Sequence, residues 1–103
     1  MDIYRISDVR ARGKSYSEFA RTSDLSAGVY RLPAGGSDSQ PTHREDEIYY
    51  VVAGRALFTA GRRTVSVEPG SVLFVPAKEP HKFHDILEDL QVLVVFAPAE
   101  GSR

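Results

Sequence analysis

The chain has 103 residues, a formal net charge of −1 and no cysteine. One domain of ordinary size is expected, disulfides and thiolate metal sites are excluded, and no nucleic-acid footprint is expected, since basic residues cluster nowhere beyond Arg62 and Arg63. No apolar run is long enough to span a bilayer and the first residues lack the regions of a signal peptide, so a cytoplasmic protein is the default expectation.

In chain order, residues 3–9 read as a strand, and residues 16–20 as either a helical turn or an edge segment. From Gly28 onward the pattern is β throughout. Residues 28–32 form a short strand ended by Pro33 and the glycines that follow. Residues 47–53, rich in Tyr and Val, form a second strand that stops at a turn on Gly54. Residues 55–60 and 64–67 make a hairpin around Gly61, and Pro69 with Gly70 marks the next turn. Residues 71–75 form an apolar strand closed by Pro76. Residues 90–96 are apolar on both faces, which suits a central or covered strand. Strands recurring about every ten residues with Gly and Pro between them argue an all-β sandwich or barrel.

All three histidines lie in two polar clusters, residues 41–47 and 76–85. Strand alternation places His43, Glu45, Glu47, Tyr49 and Val51 on one face, and Arg44, Asp46, Ile48 and Tyr50 on the other. Glu45, near the loop junction, is expected to turn to solvent despite this parity. Imidazole and carboxylate are the usual ligands for Zn, Fe, Mn or Ni where cysteine is missing. The simpler alternatives are a solvated His43–Glu47 surface pair within a charged run and a loop position for His81 after Pro80. His84 is expected at the rim or surface, Tyr49, Phe58, Phe74, Phe83 and Phe96 in the core or cavity wall, and Arg62 and Arg63 in a solvated hairpin tip.

The two clusters resemble the two motifs of the cupin superfamily. The first motif is matched by Gly35, five residues, Pro41-Thr42-His43, three residues, Glu47, six residues and Gly54. The second is matched by Gly70, five residues, Pro76-Ala77-Lys78, two residues, His81, three residues and Asp85. Pro41 replaces the first histidine of the pattern, Lys78 a glycine and Asp85 an asparagine.

The resemblance covers roughly residues 28–98 and implies a single-domain double-stranded β-helix, the antiparallel jelly-roll barrel, with a site inside. By position it implies a divalent metal (Fe, Mn, Ni or Zn) on His43, Glu47 and His81, with Glu47 a ligand or, displaced from the metal, a general base. Pro41 cannot ligate, so the set is completed either by the amide of Gln40 or by leaving three ligands with open positions. The implied functions are a metal-dependent enzyme of dioxygenase, isomerase or lyase type acting on a small molecule, or a non-catalytic ligand-binding or sensory module that has lost its metal. The expected partner is a second copy: small cupins commonly dimerise, and residues 3–9 are the candidate strand for covering an open edge.

Overall fold

The computed structural model describes residues 1–10, 15–39 and 42–103, with the side chain of Arg10 excepted. Among the described residues a short helix α1 (Ile6–Arg10) precedes six strands: β1 (Tyr16–Arg21), β2 (Ser26–Leu32), β3 (Asp46–Ala60), β4 (Arg63–Val67), β5 (Val72–Val75) and β6 (His81–Ala97). All pairings are antiparallel, in the order β1-β2-β6-β3-β4, with β5 also on β3. The architecture is the all-β jelly roll expected from the sequence. Among the described residues no helix is long and apolar enough to cross a membrane.

Two sequence expectations are corrected. Residues 3–9 do not form a strand: the chain winds into α1 and buries Val9. Residues 3–9 therefore supply no strand to cover an open edge within this chain. Of the two readings of residues 16–20, the edge segment holds: they lie in β1, an edge strand of the sheet. The other correction is that the strand read as ending at Gly54 continues through it to Ala60, and the last strand begins at His81 rather than residue 90. Polar residues such as His84, Asp85 and Glu88 masked the β6 signal because that half of the strand shows one face to solvent.

These two long strands organise the molecule. β3 and β6 pair from Asp46 with Ala97 to Ala60 with His81, through three register shifts between Val51 and Leu57. One half of the pair is flanked by β5 and β2, the other by β4. Laid flat, residues 47 and 60 would stand about 43 Å apart at the rise of an extended strand. Yet Glu47 touches His81, the neighbour of Ala60. The pair must curl back on itself at the register shifts, as bulges allow. The enclosed core is drawn largely from these strands: Tyr49, Val51, Phe58, Phe83, Val92, Val94 and Phe96. The opposite parity of β3 and β5 leaves Ile48, Tyr50, Val72 and Phe74 exposed on the outer surface.

Side chains and turns pin the loops that lead to the site. Asp38 accepts hydrogen bonds from the Tyr30 hydroxyl (2.8 Å) and the Phe83 amide (3.0 Å), holding the 33–39 loop to β2 and β6. The Lys78 amide donates to the His43 carbonyl (2.8 Å) and the Ala77 amide to Asp46 Oδ1 (2.8 Å), joining the two motif regions. Lys78 does so with φ +69° and Asp85 has φ +49°. These are the two positions where the chain departs from the Gly and Asn of the resembled pattern. An L side chain pays roughly 1–2 kcal/mol in this region, against roughly 0.5–1 kcal/mol of extra unfolded-state entropy for Gly. Lys78→Gly is therefore expected to raise stability by about 0.5–1 kcal/mol, read as a higher urea midpoint at unchanged m; a lower midpoint would contradict it.

Candidate functional site

The β alternation of residues 43–51 holds in the structure. Glu45, Glu47, Tyr49 and Val51 are buried, His43 is half-buried, and Arg44, Ile48 and Tyr50 are exposed. Glu45 is thus a correction: at 2% exposure it follows the strand's parity inward, where Oε2 accepts from the Arg103 amide at 3.3 Å. Gln40, read as a candidate ligand, and Pro41 lie outside the described residues.

At the centre, His81 Nε2 lies 2.7 Å from Glu47 Oε1, with side chains only 2% and 1% exposed. His81 Nδ1 is 2.8 Å from the Glu79 carbonyl, which can only accept, so Nδ1 carries a proton. The Nε2 contact with a carboxylate then calls for a second proton. Burial by itself pulls the His81 pKa down. The hydrogen bonds His81 donates to Glu47 and to the Glu79 carbonyl, and the charges of Glu47 and Asp38, outweigh it, leaving the pKa above 6.5. The Tyr49 hydroxyl, 3.0 Å from the same nitrogen, accepts from it when protonated and donates when it is neutral. Phe58 and Tyr49 rings wall the imidazole, at 6.0 and 5.9 Å between centroids. Glu47 Oε2 is buried with no hydrogen-bond partner among the described residues.

His43 occupies the same interior but a different neighbourhood. Its ring packs edge-on against Phe96 (4.7 Å), 6.4 Å from the His81 ring, and its Nδ1 is 3.6 Å from Glu100 Oε2. Glu100 arrives from beyond the last strand, its amide held by Ser26 Oγ at 2.9 Å. Burial pushes its carboxyl pKa up; His43 opposes this, while Glu18, Glu45 and Glu47 add to it. The charges of Glu18, Glu45 and Glu47 are thus all felt at Glu100.

Sequence reasoning had no signal for Glu100 or for Tyr16, both discussed below, because neither lies in a spaced motif. His84 stays out of the site as expected: it bonds Thr59 Oγ1 (2.7 Å) and Asp85 Oδ2 (2.6 Å) on the opposite face from Phe83.

The donor types suit a divalent cation, and an unsatisfied buried carboxylate oxygen is an atom such an ion would complete. The convergence is only of Glu47 with His81. Among the described residues no group of three His, Asp or Glu side chains comes together as a cation site needs. The fit is one of chemistry without a preformed three-ligand centre.

Comparison with known proteins agrees with the fold. Residues 28–96 match the family model described as Cupin domain. The Streptomyces coelicolor protein SCO3923 is 47% identical over 105 residues, covering 98% of this chain and 100% of that protein. The crystal structure of TT1209 from Thermus thermophilus superposes with a TM-score of 0.79 at 23% identity, over 96% of this chain and 99% of that one. The DMSP lyase DddQ from Ruegeria pomeroyi gives 0.71 at 25% identity, over 81% of this chain and 47% of that one.

Proposed function

Because the chain belongs to the cupin domain family, we propose that it binds a small molecule inside the barrel, on the Glu47–His81 pair. The observation that carries this is the state of Glu47: a fully buried carboxylate with one oxygen on an imidazole and the other without a hydrogen-bond partner among the described residues. Leaving such an acceptor unsatisfied costs about 1–3 kcal/mol, so a ligand group that donates to Oε2 recovers binding energy there. The His81 N–H and the Tyr49 hydroxyl supply polar groups beside it, and Phe58, Phe83 and Phe96 the apolar walls usual for such sites.

A second reading is favoured by the same orphaned oxygen together with the surrounding carboxylates: a divalent cation held by Glu47 and His81, with His43 as third ligand. When bound, it would supply Lewis-acid chemistry of the kind that dioxygenases, isomerases and lyases use. Lyase activity belongs to DddQ by its name, and the chain spans less than half of that protein.

One experiment separates the readings. Thermal shifts are measured against millimolar hydroxy- and keto-compounds in chelator, and against Fe(II), Mn(II), Ni(II) and Zn(II) alone. Stabilisation in chelator that disappears in Glu47→Gln supports the ligand site. Stoichiometric metal in protein purified without additives, absent from His81→Ala, selects the cation. No response to either panel removes both.

A further inference from the structure

We propose that the Tyr16 hydroxyl is the second anchor of the interior ligand site, and that the ligand is a small neutral hydroxycarbonyl compound: its carbonyl accepts from Tyr16 and its hydroxyl donates to Glu47 Oε2. The inference rests on the reading of Glu47 and His81 as a ligand site. Tyr16 opens β1, yet its tip lies on the inner face of β2: a Cβ at Gly28 would stand 2.5 Å from both Cζ and Oη of Tyr16. Gly28 is the Cα partner of Val94, whose side chain is buried in the core, so only the missing side chain lets the phenol lie there.

The ring is held edge-on by Tyr30 and Phe96, both at 6.4 Å. Phe96 is in turn the Cα partner of Glu47 and the ring against which His43 packs. Tyr16 and Glu47 thus flank one phenyl ring from strands separated by β2 and β6, roughly 14 Å between backbones, a gap the Tyr16 side chain shortens by lying across β2 at Gly28.

Both tips carry the same anomaly. The Tyr16 hydroxyl and Glu47 Oε2 are buried atoms with no hydrogen-bond partner among the described residues. One is a donor in need of an acceptor, the other an acceptor in need of a donor. Burial, then the charges of Glu100 and Glu18, suppress ionisation of the phenol, so it remains a donor at any ordinary pH. The pairing of functions dictates the ligand. A carbonyl oxygen only accepts and a hydroxyl can donate, so one compound of a few carbons bearing both satisfies both atoms. A carboxylate ligand beside Tyr16 would meet the charges of Glu100, Glu18 and Glu47, which outweigh that of Arg21 there.

The test uses the full chain and Tyr16→Phe, which keeps the ring and its packing and removes one oxygen. Dihydroxyacetone is the probe, with acetone lacking the hydroxyl and glycolate bearing a charge as controls, followed by calorimetric or NMR titration. The expected result is double: the variant melts a few degrees higher, because a buried unsatisfied group is gone, and binds dihydroxyacetone about tenfold more weakly. Acetone and glycolate are expected to bind at least tenfold more weakly than dihydroxyacetone. Equal affinity in wild type and Tyr16→Phe, with binding lost in Glu47→Gln, overturns the role of Tyr16 and leaves the Glu47 site standing. Binding that persists in Glu47→Gln breaks the underlying reading instead. No binding of dihydroxyacetone by the wild type overturns the assignment of ligand class.

Discussion

Gly54→Ala is expected to destabilise the protein by at least about 3 kcal/mol, one of the large single-residue effects that only backbone strain or buried defects produce. Two independent costs meet at this residue. Its φ is +94°, a region L side chains rarely adopt. A Cβ there would also lie 2.3 Å from the Asp89 carbonyl oxygen and 2.7 Å from Leu90 Cα. Both obstacles are backbone, so no rotamer change relieves them. Gly54 sits amid the register shifts where β3 and β6 curl back, the bend that brings Glu47 to His81. The variant is expected to lose more than about 12 °C in melting temperature and, where still folded, the His81 environment with it. A loss under about 1 kcal/mol in urea denaturation would show that the bend tolerates a side chain.

Glu47→Gln is expected to cost about 3 kcal/mol near pH 6, the range for breaking one side of a buried ion pair, with almost no change in volume. The pH dependence follows from His81. Its folded pKa lies above the unfolded 6.5, so the stability it contributes is fully present below about 6.5 and is lost as pH rises through the folded value. With Gln at 47 the principal raising influences go, and burial then pulls the imidazole down. The gap between wild type and variant is accordingly expected to be widest at pH 5–6 and to close toward pH 9. There neutral His81 faces a carboxylate in the wild type, and an amide able to donate in the variant. Denaturation midpoints across pH, with imidazole NMR titrations, check both halves. A gap that stays constant from pH 5 to 9, or a wild-type His81 that titrates below 6.5, would contradict the imidazolium assignment.

Much of the site was legible because strand alternation is local. The inward row His43, Glu47, Tyr49 and Val51 follows from the period of two alone, and burial agrees residue by residue. Glu45 was misjudged by assuming that the strand's geometry fails at its first residues. It does not, because Asp46 is tied to the Ala77 amide and the His43 carbonyl to Lys78, which extends the strand's order into the preceding loop. The helix at Ile6–Arg10 was misread because so short a segment has no period to count, and its conformation is set by packing Val9 against the sheet.

Gly54 shows the limit from the other side. As a residue type it announces a turn. Only the approach of Asp89 across the pair shows that the same glycine carries a strand through a bend. Residue identity and spacing by themselves determined the fold class and the inward face that offers His43, Glu47 and His81, because each depends on neighbours along the chain. The tertiary structure alone decided that His81 bonds Glu47 while His43 turns toward Phe96 and Glu100, and that Tyr16 reaches the interior over Gly28. Those contacts join residues far apart in sequence, and their distances depend on how β3 and β6 bend.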